Sequence, residues 1–465
     1  MNMINVRRLA VMTFLGAGML SDISAQDFSL QADTLNEARL PAQWDLQSCI
    51  DYALEQNITI RKNRVTAEST QIDVKTAKAA LFPSLSFSTS QQVVNRPYQE
   101  TSSRVSGSEI ISSNSKTSYN GNYGLNASWT IYNGSKRLKT LKQERLNNQV
   151  AELDVATSEN TIKESIAQIY IQILYAAESV RVNENTLQVS IAQRDRGQEL
   201  LNAGSIAKSD FAQLEAQVST DRYQLVTAQA TLQDYKLQLK QLLELDGENE
   251  MNVSLPKLSD ENVLAPLPAK KDVYVSALAI RPEIEASKLN VEASELGIDI
   301  AKSSYFPTIS LSAGIGTNHT SGSDFTFGEQ VKNGWNNSIG LSVSVPIFNN
   351  RQTKSAVQKA KLQRETDMLS LLDEQKALYK TIESLWLDAN SAQQRYAAAN
   401  EKLRSTQISY DLISEQFNLG MKNTVELLTE KNNLLQAQQE QLQAKYMAIL
   451  NTQLLKFYQG DKLTL

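Results

Sequence analysis

A heptad seam that occurs twice, 216 positions apart, constrains this chain more than any other feature. The first copy runs Ile162, Ile166, Ile169, Ile173, Ala176, Val180 and Leu187. The second runs Leu378, Ile382, Leu385, Ala389, Ala392, Tyr396, Ala399, Leu403, Thr406, Tyr410, Ile413 and Phe417. Steps of four and three residues place one stripe along one side of a helix, which is coiled-coil packing. The spacing predicts helices over 136–201 and 351–418, and at 1.5 Å per residue each reaches roughly 100 Å, far beyond a globular helix. Each ends in a glycine-centred turn, at Gly204 and Gly420, and a second helix returns, over 208–245 and 424–458. The first returning helix has its own seam through Phe211, Leu214, Val218, Asp221, Leu225, Ala228, Leu232, Tyr235, Leu239 and Leu242.

A second period precedes each long helix. From Tyr119 to Ile131 the odd positions are Tyr, Gly, Tyr, Leu, Ala, Trp and Ile, and the even ones Asn, Asn, Gly, Asn, Ser and Thr. That alternation is a β-strand with one apolar and one polar face. Leu85 to Val93, Ile309 to Thr317 and Ile339 to Ile347 alternate in the same parity. Strands are expected over 83–94, 119–132, 307–318 and 337–347. Tilted near 45°, about a dozen residues rise about 25 to 30 Å, the depth of a bilayer core. The odd residues Tyr123, Leu125, Trp129, Ile131, Ile339, Leu341 and Val343 are then the lipid face, and the even residues line a lumen.

The two halves repeat in other details. Ala301-Lys302-Ser303-Ser304-Tyr305-Phe306-Pro307 echoes Ala77-Lys78-Ala79-Ala80-Leu81-Phe82-Pro83, and Ile347-Phe348-Asn349 echoes Ile131-Tyr132-Asn133. The chain therefore divides into a first structural repeat over 26–250, a crossing linker over 251–271 and a second repeat over 272–465. The polar stretch 26–43 reads as extended. Residues 1–25 read as a secretory signal, with Arg7 and Arg8 ahead of the apolar run Leu9–Leu20 and Ile23-Ser24-Ala25 as the cleavage site. The arginine pair also admits a twin-arginine reading with a poorer flanking pattern.

The formal net charge of −5 and the lack of a basic stripe argue against nucleic acid. Beyond the leader no run of about 18 apolar residues offers a transmembrane helix, and a β-barrel needs none. The only cysteine, Cys49, permits no intramolecular disulfide and is no acylated N-terminus. One histidine, His319, in the polar loop expected after a strand, offers no triad partner and no metal pair. Gly314-Ile315-Gly316 is two-thirds of a dinucleotide fingerprint, but it sits in a strand with no helix after it. No catalytic residue, cofactor site or metal site is expected, and the chain reads as a non-enzyme. Four strands cannot close a barrel, so their edges demand further copies in lipid.

The leader, the duplicated Phe-Pro before a strand, Val345-Pro346-Ile347-Phe348-Asn349 before a long helix and the glycine-centred hairpins resemble the TolC family of outer-membrane efflux proteins. The resemblance covers essentially all of the chain after the leader. It implies an α+β membrane protein: a homotrimer whose twelve-stranded barrel in outer-membrane lipid continues as a twelve-helix periplasmic tunnel. It also implies docking to a periplasmic adaptor (membrane fusion) protein and an inner-membrane transporter. Small-molecule efflux and a type I protein-secreting duct stay open within it. Outside it stands a non-transporting extracellular coiled-coil stalk, which has no use for paired alternating hairpins.

The same resemblance assigns roles at the turns. An acidic residue six after each turn glycine, Asp210 and Glu426, would form a carboxylate ring at the tunnel's closed end. Lys422 takes the place of a basic residue that ties neighbouring coils shut. Phe417 stands where a hydrogen-bonding Tyr is common, and Phe cannot donate. The tips Ala203-Gly204-Ser205 and Leu419-Gly420-Met421 would meet the adaptor, since small turn residues let backbones approach closely.

Overall fold

The computed structural model describes residues 41, 43–98, 102–106, 109–113, 116–246, 251–256, 263–323 and 325–464. The expected leader over 1–25 and nearly all of the polar stretch after it lie outside the described residues. Asp45–Leu465 forms one compact unit.

Two short helices open this unit, α1 (Leu46–Gln56) and α2 (Ile58–Ala79). Asp45 caps α1 by accepting the Ser48 N–H at 2.7 Å, while Ser48 Oγ accepts the Asp45 N–H at 2.9 Å. The strands are β1 (Ser84–Asn95), β2 (Ser102–Ser106), β3 (Glu109–Ser113), β4 (Thr117–Asn133), β5 (Thr308–Thr320) and β6 (Asn336–Ser344). The long helices are α3 (Lys136–Asn202), α4 (Lys208–Leu242), α8 (Gln352–Asn418) and α9 (Thr424–Gln459). Between the halves lie α5 (Lys270–Ile280) and α6 (Pro282–Ser303), and α7 (Phe327–Asn333) follows β5.

The helices form one layer of four columns. Helix α3 packs against α4 and α2 on one side and against α6 and α9 on the other, and α8 then covers α6 and α9. Helices α4 and α2 meet end to end: Asn57 Nδ2 donates to the Leu242 carbonyl at 3.0 Å, and the Ile58 N–H donates to Glu244 Oε1 at 3.2 Å. Helices α9 and α6 meet the same way, with the Arg281 guanidinium 4.0 Å from the Tyr458 ring centroid and 2.9 Å from Glu164. The seam residues face inward. Ile166, Ile173, Leu378, Ile382, Ala389 and Tyr396 are buried, and none of the twelve positions of the α8 seam is exposed. Around α5 the column ends are sealed by a cluster that includes Val273, Ala277, Ile284, Leu378, Ile382, Leu455 and Tyr458.

The sheet is antiparallel in the order β1-β4-β5-β6. Leu85 faces Ala127, Phe87 faces Leu125, Leu125 faces Ile315, and Leu311 faces both Trp129 and Leu341. Directly opposed residues share a face, so the odd positions of all four strands make one apolar surface and the even positions one polar surface. The alternation breaks once. Between Thr130 and Tyr132 the register shifts, and Tyr132 rather than Ile131 faces Ile309. Such a slip turns the following side chains over, so Ile131 does not belong to the ladder as the other six lipid-face candidates do.

Other differences from the sequence reading have local causes. Strand β6, expected to reach Ile347, stops at Ser344, because Pro346 lacks a ladder N–H and restricts Val345. Between β1 and β4, where no strand was expected, β2 and β3 pair as an antiparallel hairpin. His319 is inside β5, not in a loop. Its ring lies 5.1 Å from Tyr119, 5.9 Å from Tyr123 and 5.0 Å from Phe327. It faces Gly121, where a Cβ would come within 2.2 Å of the imidazole.

Candidate functional sites: hairpin tips and sheet face

The α3–α4 and α8–α9 turns are built alike. Gly204 and Gly420 both have φ +72°, a left-handed conformation that glycine adopts without strain. The Ser205 N–H donates to the Leu200 carbonyl at 2.8 Å and the Met421 N–H to the Gln416 carbonyl at 2.8 Å, closing each helix with a 6→1 bond. A Cβ at either glycine would meet nothing within 4 Å, so the tips are open and the backbone torsion alone selects glycine. Ala203, Ser205, Leu419 and Met421 are all exposed. Two large apolar side chains, Leu419 and Met421, thus project from a turn into solvent.

The four candidate gate residues divide into two sets. Asp210 and Glu426 each sit at the third position of a returning helix. Asp210 Oδ2 accepts the Ala207 N–H at 3.3 Å, and Glu426 Oε2 accepts the Asn423 N–H at 3.2 Å while Asn423 Oδ1 accepts the Glu426 N–H at 2.9 Å. The Glu426 arrangement is a full capping box. Ala207 has no side-chain acceptor, so Asp210 makes only half of one. Lys422 Nζ donates to Glu426 Oε1 at 2.8 Å within its own hairpin. That contact and the Asn423 N–H hold Glu426 below its ordinary carboxylate value. Both carboxylates therefore have a local structural task at the N-terminus of a helix, where negative charge also opposes the helix dipole.

Phe417 is not beside them in solvent. It is buried against Leu214 and Leu427, with Leu200, Tyr410, Ile413 and Leu428 around it. Leu214 belongs to the first hairpin, so Phe417 fastens the second hairpin to the first by apolar contact. The missing hydroxyl costs nothing there, because the ring has no partner to find.

Sequence reading missed the polar layer above this cluster. Asp221, Ser190 and Lys431 are buried together between α4, α3 and α9. Lys431 Nζ donates to Asp221 Oδ2 and to Ser190 Oγ, and Ser190 Oγ donates to the same carboxylate. Gln217 Nε2 donates to Asp221 Oδ1 at 2.9 Å, and one helical turn from Ser190 Gln193 Nε2 donates to the Tyr410 hydroxyl at 2.8 Å. The only signal was Asp221 standing at a seam position among apolar residues; its partner lies 210 positions later.

The second candidate site is the sheet's apolar face. Leu125, Trp129, Ile339, Leu341 and Val343 share that face and are exposed, as is Ile131 beside the bulge, while Tyr123 is half-buried by His319. Ile339 is 83% exposed within this contiguous apolar face, and a patch of that kind marks an interaction surface. Aromatic residues cluster at both ends of the strands. Tyr119, Tyr123, Phe325, Phe327 and Trp335 mark one end, and Phe82, Trp129, Tyr305, Phe306 and Phe348 the other. Trp129 Nε1 donates to the Leu81 carbonyl at 2.9 Å and ties that end to the helices. Apolar strands between two aromatic girdles are the surface pattern of outer-membrane barrels. Among the described residues no helix is long and apolar enough to cross a membrane.

Comparison with known proteins agrees with this geometry. Residues 49–244 and 273–460 match the family described as outer membrane efflux protein. Outer membrane efflux protein BepC of Brucella suis is 26% identical over 294 residues, 63% of this chain and 61% of that protein. Outer membrane protein TolC of Escherichia coli is 24% identical over 339 residues, 70% of this chain and 66% of that protein. The chain thus spans a little under two thirds of the length of these relatives. The solved structure of CusC superposes with a TM-score of 0.76 at 19% identity, over 90% of this chain and 93% of that one.

Proposed function

The chain belongs to the outer membrane efflux protein family, and on that premise we propose that three copies of it form a passive exit duct across a bacterial outer membrane. One observation carries the proposal: sheet and helical layer are open along the same two flanks. On one flank lie β1 and the α2/α4 column; on the other lie β6 and α8. Both flanks carry unmet demands. The edge strands have free backbone groups, which lipid cannot satisfy. Ile58, Val65 and Ile72 of α2 and Tyr223 and Val226 of α4 are exposed on one flank, and Leu362, Leu369, Leu372 and Tyr379 on α8.

Head-to-tail association meets both demands at once, joining β6 of one copy to β1 of the next and α8 to the α2/α4 column. Three copies give twelve strands and twelve helical columns, with the odd face of the sheet outward in lipid and the even face around the channel. Apart from Val94 and, past the bulge, Tyr132, the even positions of the paired strands carry hydroxyl, amide and glycine groups, and none is ionised, so the barrel lumen is a neutral, mostly polar lining suited to passage rather than binding. The exposed tips at Gly204 and Gly420 point away from the sheet by the length of the long helices, and a periplasmic adaptor bound to an inner-membrane transporter would meet them there.

Cysteines placed along β1 and β6 test the closure. In oxidised outer membranes, paired variants at some register should give covalent dimers and trimers. A full scan that yields only monomer, with the protein folded and membrane-bound, refutes it.

A further inference from the structure

We infer that one face of the helical wall, in the turns next to the sheet, is a cationic collar that binds the headgroups of anionic phospholipids in the periplasmic leaflet. The inference rests on the proposed duct, which sets the sheet in lipid, and adds to it a lipid class and the residues that select it.

Charge is segregated along the chain. The whole carries a net −5, yet Lys136 to Arg145 holds five cations and one acid, Glu144, and Arg351 to Lys361 holds four cations and no acid. Arg145 and Lys361 are 216 positions apart, and Lys78 and Lys302 hold the same place before the duplicated Phe-Pro. Neither α3 nor α8 has an acid in its first turn, although α4 and α9 at the tips do. A helix N-terminus favours negative charge, so the helices themselves give no reason for cations there, and an anion outside the chain does.

Contacts between the columns decide which face these cations occupy. On α3, Lys139 Nζ and Gln143 Nε2 donate to carbonyls of α6, and Asn148 accepts from Thr70 of α2, so these residues mark its two sides. At about 100° per residue, Leu138, Lys142 and Arg145 fall together in an exposed sector between them. On α2, Lys75 and Lys78 share the side of Arg64, whose partner Glu159 at 3.0 Å borders that sector. On α6 and α8, Lys302, Lys361 and Arg364 line one groove with Met368, whereas Ser287, Asn290, Ser294 and Gly297 line a groove on the other face. One face of the wall is therefore cationic, with Leu138 and Met368 exposed on it. The other is small, polar and neutral, like the even face of the sheet. The cationic face thus continues the sheet's apolar face, and Phe82, Tyr305, Phe306 and Phe348 lie exposed at the junction.

The heights suit a headgroup layer. Lys78 lies four residues before Phe82, Lys354 lies in the first turn of α8, and Lys75 and Lys142 lie about one turn further from the sheet. At 1.5 Å per residue all four are within about 10 Å of the junction, and headgroups occupy about 5–8 Å on each side of the hydrocarbon. Lysine stems close the remaining distance. Lys302 is held by Asp299 at 3.1 Å and Arg364 by Glu295 at 2.6 Å. Lys75, Lys78, Lys142, Arg145, Lys354 and Lys361 are exposed and have no acid partner among the described residues. Clusters of this kind beside a membrane attract anionic lipid.

The test is native mass spectrometry of the purified full-length trimer, titrated with phosphatidylglycerol or with zwitterionic phosphatidylcholine of the same acyl chains. The parent should retain phosphatidylglycerol several-fold better, and raised salt should narrow the difference. Lys75→Gln/Lys78→Gln/Lys142→Gln/Lys354→Gln should bind the two lipids alike, and the same four positions changed to Arg should keep the preference. Arg222→Gln/Lys236→Gln, on the α4 column beyond α2, should keep it too. The inference is overturned if the parent does not discriminate, if the Gln variant still does, or if the α4 variant loses the preference. It is also overturned if soluble peptidoglycan fragments displace the lipid, which would make the cell wall the occupant. Where the Gln variant does not assemble, the parent's preference and its response to salt decide. Absence of any trimer from the parent would instead overturn the duct itself, so the two failures are distinguishable.

Discussion

Replacing Leu125 by Arg probes the proposed membrane face. Leu125 lies on an inner strand, opposite Phe87 on β1 and Ile315 on β5, midway between Trp129 and Tyr119. A guanidinium there has no charged partner on its own face, where the nearest polar groups are Tyr123, Thr89 and Thr317. The cost of a basic residue at the bilayer midplane of an outer-membrane barrel is about 2–4 kcal/mol. Three copies lose about 6–12 kcal/mol per trimer, comparable to the whole stability of a typical domain. Asn126→Arg makes the same chemical change one residue on. Asn126 faces Ser86 and Gly314 on the polar side, where the added side chain extends into the lumen. The assay is the fraction of heat-modifiable trimer in outer-membrane extracts, followed by urea titration of what assembles. Leu125→Arg should deplete the trimer or lower its midpoint, and Asn126→Arg should leave both within error of the parent. Equal loss from the two substitutions would refute the assignment of odd residues to lipid.

Three further outcomes are expected. Gly420→Trp must hold a bulky residue at φ +72° on an open tip, so it should leave the trimer assembled and abolish export in a drug-susceptibility assay; normal export would remove this tip from the docking surface. Glu426 is held below its ordinary value of 4.5, so its contribution is present above that pH and is lost as the pH falls through the lower folded value. Acidification through that range should therefore raise resting conductance in the parent more than in Glu426→Gln, and an identical response in both would exclude Glu426 as the cause. Asp210→Asn with Glu426→Gln should weaken cation preference and block by multivalent cations in single-channel recordings; if both are unchanged, the two carboxylates serve only to cap their helices.

Much of the architecture was legible because its two periods are long and uninterrupted. Twelve α8 seam positions at alternating spacing leave one helix face no choice, and the Asn/Ser/Thr alternation with Tyr, Leu and Trp in β4 does the same for the sheet. The left-handed torsions at Gly134-Ser135 recur 216 positions later at Asn350-Arg351, as Gly204 recurs at Gly420. Interruptions were harder to see. The register slip beside Ile131 has no mark in the alternation of β4, which runs unbroken through it. The end of β6 at Ser344 was legible in Pro346 and was overrun by the pattern. At the tips, Asn423-x-x-Glu426 is a capping signature in plain view, and it gives Glu426 a local task. Nothing in the sequence separates Lys431 from a solvated helix lysine, since only the fold brings it to Asp221.

The most direct test of the account is the native mass of the detergent-extracted, folded protein. In the proposed trimer the four-stranded sheet and four-column wall are each a third of a closed body, so the mass should be three times that of the mature chain, with no stable folded monomer on dilution. A folded, membrane-extracted protein of one or two chains would leave β1 and β6 unpaired in lipid and would contradict the account at its root.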